Sequence, residues 1–123
     1  MPTPAAPDSQ AVHPLPLSTP VFHILLSLYH QELHGYGIIQ DIELRTGGEV
    51  GLSTSTLYGA IKRMMRDGLV ERSAERPDPR LDDERRRYYR ITDFGREVAR
   101  TEASRIERLA QLATNARLLT PTP

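Results

Sequence analysis

Ser55, Thr56, Tyr58, Lys62, Arg63 and Arg66 lie close together in S-T-S-T-L-Y-G-A-I-K-R-M-M-R, residues 53–66. They bring hydroxyls, a phenol, an ammonium and two guanidiniums, with no carboxylate among them. Such groups hydrogen-bond phosphate oxygens and base edges. Wound as a helix at about 100° per residue, the segment separates into two faces. Leu57, Ala60, Ile61 and Met64 share one arc and read as core. Ser55, Tyr58, Gly59, Lys62 and Arg66 share the opposite arc, with Arg63 at its edge. Tyr58, Lys62 and Arg66 stand four residues apart and stack along one line. A solvated charged stripe is the alternative reading of this face.

A second basic group is Arg85-Arg86-Arg87. On a strand these side chains alternate, so Arg86 and Arg90 share a side with Tyr88, and Arg85 and Arg87 share one with Tyr89 and Ile91. Either they reach nucleic acid, or they pair with Asp82, Asp83 and Glu84 next to them. The total charge is zero, from 16 basic and 16 acidic residues, but it is unevenly distributed. The first basic residue is Arg45, and residues 62–90 hold ten basic and seven acidic side chains. A neutral total therefore hides a local basic excess.

The elements that must position these groups follow from punctuation and periodicity. Residues 1–17 carry five of the ten prolines and read as a disordered tail. Thr19-Pro20 caps and opens a first helix to about Gln31, with Val21, Ile24, Leu25 and Leu28 inward. His34-Gly35 breaks the pattern. A second helix covers about 36–45, with Ile38, Ile39 and Ile42 as core, and Gly47-Gly48 ends it. Ser53 or Thr54 caps the third helix, and Asp67-Gly68 stops it. Residues 69–76 read as a strand, Pro77-Asp78-Pro79 as a loop, and 85–91 as the returning strand. Thr92 caps a last helix that runs to about Leu118. This order predicts a mainly α chain with a small β-hairpin: a winged helix-turn-helix over 18–92, with residues 93–119 as a long C-terminal helix. The third helix is then the recognition helix and the hairpin the wing.

The last helix carries an apolar stripe that includes Phe94, Val98, Ile106, Leu109, Leu112, Ala113 and Ala116. A chain of 123 residues has too little protein left to cover it. Val98, Ile106, Leu109, Leu112 and Ala116 are therefore expected at a seam between two copies.

The chain resembles the PadR-like transcriptional regulators. The likeness rests on Leu25-Leu26-Ser27-Leu28, His34-Gly35-Tyr36-Gly37-Ile38, Ser53-Thr54-Ser55-Thr56-Leu57-Tyr58, Asp67-Gly68-Leu69-Val70 and Arg87-Tyr88-Tyr89-Arg90-Ile91-Thr92, in that order. The resemblance implies a homodimeric winged-helix repressor of the family's smaller subgroup, joined through its C-terminal helix and bound to double-stranded DNA at a pseudo-palindromic operator. It also implies that a small-molecule effector or partner protein acts by changing the spacing of the two recognition helices. Two segments depart from the family pattern. Val50-Gly51-Leu52-Ser53 replaces the aromatic residue and proline common before the recognition helix. Asp82-Asp83-Glu84 occupies the wing tip, where three acids repel phosphate and argue against deep insertion into the minor groove.

Other chemistries find little support. His30-Gln31-Glu32-Leu33-His34 puts its glutamate one position late for a zinc protease helix, and Gly35 follows where the helix would continue. His23, His30 and His34 do not form a ligand pattern, so no metal is expected. Gly35-Tyr36-Gly37 lacks the third glycine of a dinucleotide loop, and no cofactor is expected. Tyr36, Tyr88 and Tyr89 read as packing residues rather than a ligand pocket. The chain shows no acid–base pair, activated nucleophile or phosphate loop, so an enzyme is not expected. There are no cysteines, no apolar run long enough to span a membrane and no signal-peptide pattern, which together point to a cytoplasmic protein. The rival function is a winged-helix protein-interaction module that does not bind DNA, which the zero net charge and acidic wing tip favour.

Overall fold

Each helix begins at a side chain that accepts a hydrogen bond from an otherwise orphaned backbone N–H. Ser18, His34, Ser53 and Thr92 accept from Val21, Gly37, Thr56 and Gly95. The computed structural model describes residues 13–73 and 87–120. The order is α1 (Thr19–Leu28), β1 (Leu33–His34), α2 (Gly35–Arg45), α3 (Thr54–Arg66), β2 (Val70–Arg72), β3 (Tyr88–Ile91) and α4 (Asp93–Asn115). The strands form an antiparallel sheet in the order β1-β3-β2. Val70 pairs with Ile91, Glu71 with Arg90 and Arg72 with Tyr89, while Leu33 and His34 pair with Tyr89 and Tyr88. This is the winged helix-turn-helix order expected from the sequence, with one strand more.

The core is built from the periodic positions. Ile24, Leu25 and Leu28 of α1, Ile38 and Ile42 of α2, and Leu57, Ala60, Ile61 and Met64 of α3 are buried together with Leu69, Val70, Tyr89 and Ile91. Val21 and Ile39, expected inside, pack at its edge. Full burial of an aliphatic side chain contributes about 1.5–3 kcal/mol, so this cluster supplies much of the drive to fold.

Two helices stop where glycine allows it. Gly47 takes φ +62° after α2 and Gly68 takes φ +77° after α3. After α3 the Leu69 N–H reaches the Met64 carbonyl at 2.9 Å and the Gly68 N–H reaches that of Met65 at 3.1 Å, so two orphan carbonyls are satisfied. That turn aims β2 away from the end of α3.

Several boundaries differ from the sequence reading. Ser18, not Thr19, caps α1, and α1 ends at Leu28 rather than Gln31 because the chain turns out to form β1. The Gln31 side chain instead reaches back to the Ser27 carbonyl at 3.2 Å. Among the described residues β3 begins at Tyr88, with Arg87 just before it; Arg85 and Arg86, expected in the same strand, lie outside them. α4 ends at Asn115, three residues early, because Arg117 takes φ +66° and closes the helix as a glycine would. The tail expected to be disordered through Leu17 is packed from Leu15, since Leu15 and Leu17 lie against the core. Residues 1–12 lie outside the described residues.

Candidate nucleic-acid interface

The two faces of α3 separate as the residue types require. Leu57, Ala60, Ile61 and Met64 are buried, while Ser55, Thr56, Lys62, Arg63 and Arg66 are exposed. The first turn carries no acid, so its N–H groups keep the positive end of the helix dipole uncompensated. The Ser53 hydroxyl accepts from the Thr56 N–H at 3.1 Å and donates to the Thr56 hydroxyl at 2.9 Å. Thr56 is therefore partly committed to the cap, whereas Ser55 touches it only through the Ser53 hydroxyl at 3.3 Å. An anion meeting this end finds hydroxyls, backbone donors and no opposing carboxylate.

Tyr58 is half-buried, because its ring lies over the start of α2. A Cβ at Gly35 would overlap the Tyr58 hydroxyl, so glycine is required for this close approach. Tyr58 thus packs against the start of α2 as well as belonging to the polar face, a contact the sequence signalled only as His34-Gly35-Tyr36-Gly37. Lys62 and Arg63 point outward one turn on. Arg66 ends the line, and its Nε meets Asp67 Oδ1 at 3.2 Å. That pairing places the first acid of the segment beside the last cation and holds the Asp67 carboxyl below its usual range.

On the wing, Arg87 is exposed just before β3, whereas Arg85, Arg86 and the acids 82–84 lie outside the described residues. Arg90 donates to Glu71 at 2.8 Å across the β2–β3 pair and is committed there. Before α3, the Thr46 hydroxyl accepts from the Val50 N–H at 3.0 Å, and Val50 and Leu52 pack against the core. This brace stands where the family's aromatic–proline pair is absent.

The tyrosines behave largely as packing residues. Tyr89 is buried, and the Tyr88 ring meets the edge of His34 at a 5.2 Å centroid separation. Tyr36 is the exception, since it is exposed at the start of α2. His34 is occupied as the α2 cap, its Nδ1 accepting from the Gly37 N–H at 2.9 Å. Among the described residues no group of three His, Cys, Asp or Glu side chains is placed to hold a metal ion.

α4 divides in two. Val98 is 1% exposed and Ala99 is buried, both in the chain's own core. Val98 is therefore not at a seam, which corrects the sequence expectation: the apolar stripe begins as intrachain core. Further along, Ile106, Leu109 and Leu112 are 40%, 50% and 57% exposed, and Ala116 at the C-cap is exposed too. No helix among the described residues is long and apolar enough to cross a membrane.

The model of the transcriptional regulator PadR-like family matches residues 24–101, from α1 into α4. A transcriptional regulator from Clostridium thermocellum is similar in structure, with TM-score 0.65 and 23% identity over 81% of this chain and 97% of that one. A PadR family regulator from Clostridium difficile gives TM-score 0.65 and 21% identity over 80% and 97%. Bacillus subtilis PadR, whose structure is a complex with operator DNA, gives TM-score 0.60 and 22% identity over 72% of this chain and 48% of that one. No curated protein matches the chain. The five sequence segments, the strand order and the family match over 24–101 agree, and the chain belongs to the PadR-like family of transcriptional regulators.

Proposed function

We propose that this protein is a homodimeric, sequence-specific DNA-binding repressor acting in the cytoplasm. The observation that carries this reading is the acid-free polar face of α3, with Ser55 and Tyr58 toward its N-terminus and Lys62, Arg63 and Arg66 beyond. Inserted in a major groove, the N-terminal residues of α3 meet base edges and the later cations meet phosphates. Arg87 of the wing, with Arg85 and Arg86, adds backbone contacts. The operator complex of the Bacillus subtilis relative supports DNA as the partner.

The second copy joins through the outer half of α4. Ile106, Leu109, Leu112 and Ala116 extend past the chain's own core. Ala103, one turn before Ile106, lines an apolar groove of about 260 Å³ with Phe22, Leu26 and Tyr29 of the α1 region. Together these surfaces form one apolar face that a partner helix would cover. An effector or partner protein acts by moving the α4 pair and so the spacing of the α3 pair.

The test is a salt titration of binding to duplex DNA from the region upstream of the protein's own gene. Lys62→Ala and Arg66→Ala each remove one phosphate contact, so the slope of log affinity against log salt falls by about 0.9 apiece. The loss extends across sequences, because phosphates carry charge rather than code. Unchanged slope and affinity in both variants refute the assigned face. Absence of salt-dependent binding favours the protein-interaction reading, which the zero net charge supports.

A further inference from the structure

We propose that residues 13–17 form a strap that couples α4 to the C-terminal end of α3, so that displacement of α4 is felt at Arg66. The coupling stands on the fold, and only its consequence for affinity rests on the DNA-binding reading.

One end of the strap is fastened to a buried acid. Glu102 on α4 is 2% exposed. Its carboxylate takes Arg105 Nε at 2.6 Å and Nη2 at 3.0 Å, and it also accepts the Leu17 backbone N–H at 2.8 Å, across 85 residues of sequence. A carboxylate withdrawn from water is costly unless its lone pairs are used. Part of its capacity is spent on the strap, which the ion pair with Arg105 inside α4 would not by itself require.

The other end meets α3. His13 Nε2 lies 3.5 Å from Asp67 Oδ2, while Asp67 Oδ1 takes Arg66. Between the two ends, Leu15 and Leu17 lean on the core. The strap nevertheless spans a cleft of about 220 Å³, lined by Val21, Arg63, Met64 and Leu69 as well as by the strap itself. It rests across α3 without filling the space beneath.

Asp67 is the point of transmission. With His13 on Oδ2, the carboxylate offers Arg66 one oxygen. With the strap lifted, both oxygens are free to turn toward the guanidinium, in the bidentate geometry a phosphate would otherwise satisfy. A fastened strap thus keeps Arg66 available, and a shift of α4 that breaks the Leu17–Glu102 bond withdraws it.

The experiment is amide hydrogen exchange on the full-length chain. Glu102→Leu keeps a side chain of similar volume and removes the acceptor. The expected result is faster exchange at Leu17 together with a rise on the order of threefold or more at Asp67, Gly68 and Leu69. His13→Ala gives the same rise at 67–69 and, by reciprocity, a rise at Leu17. Faster exchange at Leu17 with 67–69 unchanged in Glu102→Leu overturns the proposal. If that variant does not fold, His13→Ala decides alone, and an unchanged Leu17 amide overturns it. In a duplex-binding assay both variants weaken affinity, and combining them adds little to either. If no duplex binds at all, the functional reading falls and the exchange measurement still decides the strap.

Discussion

Glycine-to-alanine is the same chemical change at residues 59 and 95, and it moves stability in opposite directions. Gly59 sits in the interior of α3, where alanine is favoured by about 1 kcal/mol, and Gly95 in the first turn of α4, where that preference is weaker. At Gly59 a Cβ meets only Arg63 Nη1 at 3.6 Å, the far end of a flexible side chain. Gly59→Ala therefore stabilises the fold by about 0.5–1 kcal/mol. At Gly95 a Cβ overlaps the Leu69 carbonyl and approaches Ile91 Cγ1 to 2.9 Å. That carbonyl accepts the Thr92 N–H at 3.0 Å, and the Thr92 hydroxyl bonds the carbonyls of Gly68 and Leu69 at 2.6 and 3.1 Å. Pushing α4 away strains bonds worth about 1 kcal/mol each and adds an overpacking cost of about 1–3 kcal/mol. Against the helix gain, the net loss is about 1–3 kcal/mol. Urea denaturation of both variants beside the wild type measures the two changes. A Gly95→Ala protein as stable as the wild type refutes the packing argument, and a destabilised Gly59→Ala refutes the reading of open space.

The double change Leu109→Glu, Leu112→Glu touches side chains already half-exposed in the single chain. It leaves thermal stability of the protomer intact but converts a micromolar dimer to a monomer in sedimentation; a wild type that is monomeric at that concentration contradicts the seam. Hydrogen bonding from Arg105, helped by the Leu17 N–H, holds the Glu102 carboxyl below its usual value against the opposing effect of burial. Its contribution to stability is therefore present above the unfolded carboxyl's pKa of about 4.3 and is lost as pH falls through the lower folded value. The stability gap between wild type and Glu102→Gln, followed by urea denaturation, narrows as pH is lowered below about 5, and a constant gap down to pH 3 refutes the assignment.

The polar face of α3 was legible because a helix sorts its residues by angle, and both arcs of residues 53–66 fell where the structure puts them. The cap at Thr92, the α3 cap to within Ser53 or Thr54, and the stops at Gly47 and Gly68 were legible because each acts within a few residues. What escaped depends on distant partners. β1 is two residues long and exists through its pairing with Tyr88 and Tyr89, so no local period announces it. Residues 13–17 look disordered by composition, and their partners, Glu102 and the core beneath Leu15 and Leu17, are distant in sequence. Val98 belongs to the same apolar stripe as Leu109, and periodicity alone does not say where the chain's own core ends. The early end of α4 at Asn115, closed by the positive φ of Arg117, has no glycine to mark it.

A dimer that places two α3 helices in successive major grooves leaves a characteristic footprint on the DNA upstream of the protein's own gene. Two-fold symmetry requires pseudo-palindromic half-sites about 10–10.5 base pairs apart, center to center, because the groove faces the protein again after about 34–36 Å. Inserting about five base pairs between the half-sites turns one of them to the far side of the duplex. The expected result is a divided footprint that is lost on insertion. A single undivided site that is protected equally well with and without the insertion contradicts it, even where the protein binds DNA.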